Sequence, residues 1–284
     1  MSIIISADAR ARGFLLGATA GRTTLMGEGL QHQDGHSLLH ASTVPACQAY
    51  DPAFAYETAE IIRHGIHRMY GPNPQDVFYY LALYNENYLM PSLPDGPDVV
   101  EGIIAGLYRW AEAPRLDGPR ATLLFSGSSQ GAVRHAATEL AERWGVAAEL
   151  WSATSYKALR ENALEAERWN RLHPTSEPRK ARVTDLLERS QGPIIATTDF
   201  MKTVPDQISR WIPQGRSYTS LGTDGFGRSD TREALRRYFE VDAAHVVVAT
   251  LSSLAQQGSI TPAVVDEAIS HYSIDPEAIV PWHN

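Results

Sequence analysis

Cysteine is almost absent from this sequence. Cys47 is the only one in 284 residues, so no internal disulfide framework exists and a reducing, cytoplasmic setting is favoured. No apolar run approaches the ~18 residues of a membrane-spanning helix. The opening Met1-Ser-Ile-Ile-Ile has no basic flank and too short an apolar run for a secretory signal. No Lys/Arg-rich run occurs, and 33 acidic against 25 basic residues leave a formal charge of -8. That balance argues against nucleic-acid or anionic-membrane binding, both of which need clustered cations. Also missing are GxGxxG, GxxxxGK[ST] and HExxH, so nucleotide-cradle and zincin readings lack their signatures. There is no internal repeat and no low-complexity segment.

The chain that remains is 43% hydrophobic and 20% charged, which suits one large or two ordinary globular domains. Gly13–Gly17 reads as a buried strand of a parallel sheet. Gly21–His36 has four glycines and no helical or strand period, so it reads as a long ordered loop of the kind that carries function. A short helix is expected over 37–43, a strand over 44–50, and an amphipathic helix over 53–70 stopped by Gly71-Pro72. Val77–Tyr84 is apolar and aromatic throughout, a buried strand. The proline-spaced stretch after Asn85 is the best linker. From about residue 99, strands at 121–125, 146–151, 193–198 and 217–221 alternate with helices, including 155–169, 180–188 and a single helix over 201–211. Ser229 or Asp230 is expected to cap the helix 231–239, and 244–257 and 262–272 close the chain as helices. Repeated strand–helix units imply a parallel sheet covered on both faces.

The richest chemistry lies in Gly21–His40. His32, His36 and His40 are spaced four apart, as metal ligands on one helix face would be, but Asp34 and Gly35 interrupt the first interval. A metal-dependent hydrolase built on this trio is therefore one reading. The alternative for each is a loop histidine hydrogen-bonded to backbone. His32, between Gln31 and Gln33 and flanked by Gly29 and Gly35, suits proton transfer in a polar cleft. His40, among Leu38, Leu39 and Ala41, is expected to pack. Glu28 either orients His32 or caps the loop. Ser126-Gly-Ser-Ser129 follows a strand and opens a helix, so its backbone N–H groups hold either an anion or nothing more than a turn. Asp224, in the strand-end turn Gly222–Gly227, binds either a ligand or a neighbouring backbone. Cys47 is expected to be buried.

Taken together, these stretches resemble a known family. Arg12-Gly-Phe-Leu, Gly21-Arg-Thr-Thr-Leu, Gly27-Glu-Gly-Leu-Gln-His32 and Asp34-Gly-His-Ser37 are similar to the first, decarboxylating component of pyruvate dehydrogenase of the homodimeric bacterial type. The likeness continues through Tyr50-Asp-Pro-Ala-Phe-Ala-Tyr56, Arg68-Met-Tyr-Gly71, Leu83-Tyr-Asn-Glu-Asn-Tyr88 and Glu167-Arg-Trp-Asn170. It ends in Leu221-Gly-Thr-Asp-Gly-Phe-Gly-Arg-Ser-Asp230 and Phe239-Glu-Val-Asp242. The resemblance implies an α/β, transketolase-like fold. Residues 1–98 would be a truncated pyrimidine-binding-type domain and 99–284 a transketolase C-terminal-like domain with a parallel or mixed sheet. It further implies thiamine diphosphate and Mg2+ as cofactors and pyruvate as substrate. A homodimer and the dihydrolipoamide acetyltransferase component, as acetyl acceptor, would be the partners. His32 falls on a family histidine that positions substrate and manages protons, and it is the one catalytic residue carried over.

The sequence departs from that family in what it omits. The Gly-Asp-Gly motif that holds magnesium and diphosphate is missing. So is the glutamate that activates the aminopyrimidine, whose place precedes the position matching Met1. Two readings follow: a C-terminal segment of the decarboxylating enzyme, or a non-catalytic dimerisation and interaction module derived from it. On either, the purified 284-residue chain supplied with pyruvate, thiamine diphosphate and magnesium is expected to release no carbon dioxide above the protein-free rate; measurable turnover would refute this.

Overall fold

The computed structural model describes residues 2–283. A first helix, α1 (Ser2–Asp8), leads to β1 (Phe14–Ala18). After the long loop come α2 (Ser37–Ser42), β2 (Cys47–Tyr50), α3 (Ala55–Tyr70) and β3 (Phe78–Leu83). The three strands form one parallel sheet in the order β1-β3-β2. Central β3 is buried along nearly its whole length, with Tyr79 and Leu81 inaccessible. Helix α3 lays Ile61, Gly65 and Met69 on this sheet, at the spacing that forms one apolar stripe. Gly65 is required there, because a Cβ would lie 2.8 Å from the Phe14 ring.

Gly13–Gly17 was expected to be a buried strand. It is a parallel strand, but it lies at the sheet edge, and Leu15 and Leu16 are 39% and 58% exposed. Pattern alone cannot separate an apolar strand inside a sheet from one at its border, because both carry the same run.

Residues 84–96 have no regular structure, yet they are tied down. Tyr88 donates to the Ala53 carbonyl at 2.5 Å, and Glu86 pairs with Arg236. Next come α4 (Val99–Ala105) and β4 (Tyr108–Ala111). β5 (Arg120–Phe125), α5 (Gln130–Glu142) and β6 (Ala147–Ser152) follow. The chain continues through α6 (Tyr156–Leu172), α7 (Arg182–Leu187), β7 (Ile194–Thr197), α8 (Thr203–Asp206) and β8 (Tyr218–Leu221). It closes with α9 (Arg232–Tyr238), α10 (Ala243–Gln256) and α11 (Pro262–His271). The second sheet runs β4-β6-β5-β7-β8, with β4 antiparallel and the rest parallel. Its two faces are covered by α5 and α10 on one side and by α6 and α7 on the other, as continuous apolar strands require.

Three local expectations need revision. Neither α4 nor β4 stood out in the sequence, because each is short and mixed in polarity. The span 201–211 is not one helix but α8 followed by a 3-10 turn at Ser209–Trp211. Pro213, which has no N–H to continue a ladder, closes the segment. The cap of α9 is neither Ser229 nor Asp230 but Thr231, whose hydroxyl accepts from the Ala234 N–H at 3.2 Å.

The two sheets share packing across residue 98. Val99, Ile103 and Tyr108 enter the same cluster as Tyr50, Ile61, Tyr79 and Leu81, while Tyr80 and Ala82 join Leu124 and Trp151 in another. A buried acid, Glu57, reinforces this seam from the first turn of α3. It accepts from the Ala53 and Phe54 N–H groups at 2.5 and 3.1 Å, from Tyr108 Oη at 2.7 Å and from Ser152 Oγ at 2.6 Å. Burial raises its pKa against those donors. Glu57→Ala would strip the acceptor from the buried Ser152 hydroxyl and from the Ala53 and Phe54 N–H groups, and leave Tyr108 with only the Tyr56 hydroxyl, a loss of roughly 3 kcal/mol. Urea unfolding is expected to show that loss as a lower midpoint, and an unchanged midpoint would remove Glu57 as a staple.

Candidate active site

The loop from Gly21 to His36 is buried at both ends and exposed between them. Gly21–Thr24 are inaccessible, residues 26–28 and 30–32 are open, and Gln33 and Gly35 are buried again. An isolated bridge closes its neck, with the Asp34 N–H donating to the Gly21 carbonyl at 3.2 Å.

The first end is held by Asp199, which follows β7. Its carboxylate accepts from the Arg22 and Thr23 N–H groups at 3.3 and 3.0 Å and from Ser128 Oγ at 2.9 Å. Gly21 is obligatory at this contact: φ is +81°, and a Cβ would lie 2.3 Å from Asp199 Oδ2. Arg22 runs inward and donates to the Thr223 carbonyl. Its guanidinium pKa is lowered by burial, opposed by Asp224, Asp34 and Asp199. Asp51, after β2, receives the Tyr84 hydroxyl at 2.5 Å, and its carbonyl takes the Gly127 N–H at 3.1 Å. Its Oδ2 is buried without a hydrogen-bond partner.

The second end is held by Gln33 and by Asp34. Asp34 Oδ1 accepts from the His36 and Ser37 N–H groups at 3.1 and 2.9 Å, starting α2. The far side of the loop is stitched to the segments that follow β7 and β8 and to the start of α9. The Gly27 N–H donates to the Asp230 carbonyl at 3.3 Å, the Met201 N–H donates to the Gly35 carbonyl at 2.8 Å, and Arg232 Nε donates to the Thr24 carbonyl at 2.9 Å. The two glycine-rich stretches of the sequence, almost two hundred residues apart, are therefore neighbours.

His32 sits on the open crown with its side chain 59% exposed, and Glu28 Oε2 lies 3.7 Å from Nδ1. That separation is a charge contact rather than a hydrogen bond. His36 begins α2, and its ring centroid is 5.3 Å from that of His40. His40 was expected to pack, but it is exposed while Leu38 and Ala41 fill the core, because α2 turns its 38/41 stripe inward. Among the described residues no three His, Cys, Asp or Glu side chains are placed to hold a metal ion. At Ser126–Ser129 the donors turn inward: the Ser126 and Gly127 N–H groups donate to the Thr197 and Asp51 backbone carbonyls, and the Ser128 hydroxyl donates to the Asp199 carboxylate. Asp224 accepts the Lys202 N–H at 3.0 Å, so it serves a neighbouring backbone. Cys47 is buried and its thiol is pushed up to about 11, mainly by desolvation. This donor set does not form a cradle for magnesium and diphosphate.

Asp51, Asp199 and Gln33 escaped the sequence reading. The two acids each stand directly after a strand, where open sheets place functional side chains, and that position was the available signal. Gln33 had none beyond adjacency to His32.

A mixed sheet with an antiparallel edge, joined to a parallel sheet with a long glycine-rich loop after its first strand, gives a transketolase-like architecture. Solved structures agree. Transketolase from Leishmania mexicana matches 90% of this chain and 32% of its own at TM-score 0.63 and 15% identity. The Campylobacter jejuni enzyme matches 88% and 33% at TM-score 0.59 and 19% identity. Family models match the pyruvate dehydrogenase E1 component middle domain over residues 3–91 and the transketolase-like C-terminal domain over 106–242. The chain is 51% identical over 270 residues to the pyruvate dehydrogenase E1 component of Pseudomonas aeruginosa, covering 95% of this chain and 30% of that protein. It is 49% identical to that of Mycobacterium tuberculosis, covering 97% and 29%, and 46% identical to that of Escherichia coli K12, covering 96% and 30%. The chain is homologous to the C-terminal part of the pyruvate dehydrogenase E1 component and belongs to that enzyme family. It spans about 30% of the length of the curated relatives it matches.

The two acids give the stability of this site a pH dependence. Burial raises Asp51 from 3.8 to about 7 and Asp199 from 3.8 to about 6. An acid whose pKa rises on folding stabilises fully below its unfolded value, near 4, and that contribution is lost as pH climbs through the folded value. The unfolding free energy is expected to fall between pH 5 and 8 by roughly 2–4 kcal/mol from these groups. Urea titrations of the Asp51→Asn variant should show a flatter profile; an identical slope would contradict the assignment.

Proposed function

We propose that this chain supplies the histidine-bearing wall of a pyruvate-decarboxylating site, acting with further sequence of the kind its longer relatives possess. Residues 1–98 serve as a partial pyrimidine-binding-type domain and 99–284 as the C-terminal domain. The observation that supports this reading is the display of His32 on the exposed crown of a loop clamped at both ends. A catalytic imidazole needs a fixed backbone and an open face, and this loop provides both. His32 would hold and deliver a proton at the reacting carbonyl, with Glu28 keeping the ring near a negative charge. Thiamine diphosphate and magnesium would be held by residues outside this chain, consistent with the donor set described above. In that assembly pyruvate is the substrate, dihydrolipoamide acetyltransferase the acceptor, a homodimer the working state and the cytoplasm the location. Among the described residues no helix is long and apolar enough to cross a membrane.

A second reading, a non-catalytic dimerisation and interaction module, draws support from apolar side chains left open on β1 and on the crown. Leu16, Met26, Leu30 and Phe226 are each more than half exposed, and such surface favours association. The two readings separate in one experiment. The chain is mixed with a separately expressed N-terminal portion of a relative, thiamine diphosphate and magnesium, and carbon dioxide release from pyruvate is followed. Recovered turnover that falls about 100-fold or more in His32→Ala supports the catalytic wall. Stable association without turnover supports the module.

A further inference from the structure

We infer that Gln33 is the positioning residue of this site: it fixes His32 by bolting the crown of the 21–36 loop to the backbone of the 225–230 segment. The inference rests on the reading of His32 as the acting group.

Gln33 immediately follows His32 and points the opposite way, 6% exposed where His32 is open. Its amide makes three hydrogen bonds, all to backbone. Nε2 donates to the Leu25 carbonyl at 3.0 Å and to the Arg228 carbonyl at 2.8 Å, while Oε1 accepts from the Arg228 N–H at 2.9 Å. Both amide hydrogens are used, and the pair on Arg228 is a two-point contact that resists rotation as well as separation. The Leu25 bond draws the start of the crown toward its end, so residues 25 to 33 form a closed ring around this one side chain. The Arg228 bonds dock that ring onto the other loop.

The docking partner is built to receive the amide. Gly227 has no side chain where one would intrude: a Cβ there would lie 2.4 Å from Gln33 Oε1 and 3.0 Å from the Leu30 Cα. The Gly27–Asp230 backbone bond closes the same interface one step further on. This side chain shares the restraint of the crown with the Gly27–Asp230 bond and with Arg232 on the Thr24 carbonyl, and it alone among them bonds both ends of the crown and the opposite loop. A primary amide is suited to the place, since it offers two donors and an acceptor without charge in a buried setting. This also gives a role to Gly227, whose backbone has no positive φ to require a glycine.

The inference is tested first on the 284-residue chain by hydrogen–deuterium exchange. Gln33→Leu removes all three bonds at similar volume, and Gly227→Ala pushes the amide off from the opposite loop. In both variants, amides of 25–33 are expected to exchange at least tenfold faster, while those of β3 and β5 keep wild-type protection. Unchanged exchange over 25–33 in both variants overturns the inference, as does a general loss of protection in both. The second arm uses the reconstituted assembly and a double-mutant comparison. If Gln33 acts through His32, Gln33→Leu lowers kcat with little change in KM, and it adds no further loss in a His32→Ala background. Multiplying losses would overturn the positioning role. A His32→Ala variant with wild-type turnover would instead refute the catalytic reading of His32, leaving the exchange result to decide the clamp on its own.

Discussion

Three buried carboxylates hold this molecule together where its two sheets meet. Glu57 ties the start of α3 to Tyr108 and Ser152, Asp51 ties the end of β2 to Tyr84, and Asp199 ties the end of β7 to Arg22, Thr23 and Ser128. Each acid gathers donors from distant parts of the chain. A buried acid without donors is costly, so the donors and the acid impose positions on one another. Burial raises all three pKa values against the donors that lower them. The seam is thus assembled with a standing electrostatic cost, and packing on either side of it covers that cost.

The 21–36 loop inherits its geometry from this seam. A sixteen-residue loop without a regular ladder has a large conformational entropy to surrender. Here it is restrained at a few points: Asp199 at its entry, the Gly21–Asp34 bridge at its neck, Gln33 across its crown and Asp34 at its exit. The side chains left facing out, Met26, Glu28, Leu30 and His32, make few internal contacts. That arrangement separates the residues that shape the loop from those that meet something beyond it, and a surface that completes a site with other sequence needs this division.

Much of the fold was legible because its physics is local. Strands β3, β5 and β7 are unbroken apolar runs, α3 has a single apolar stripe ended by Gly71-Pro72, and the loop was marked by glycines without a period. Where the reading slipped, a non-local fact decided. The Gly13–Gly17 run is at an edge because no strand pairs beyond it in this structure, which no pattern within those residues encodes. His40 faces out because α2 rolls Leu38 and Ala41 inward. The span 201–211 divides into α8 and a 3-10 turn where one helix was expected.

The residue order by itself determined the elements, the loop and the family, because these depend on periodicity, on glycine and proline, and on motifs within a few residues. It also placed His32 among the groups able to do chemistry. The tertiary structure alone decided which of those groups share a site. It separated the three histidines from any common ligand, turned the Ser126–Ser129 donors inward onto Asp51 and Asp199, and brought Gln33 against Arg228 across almost two hundred residues. Those outcomes depend on which strand ends lie side by side, and that is settled by sheet order and packing rather than by any local stretch of sequence.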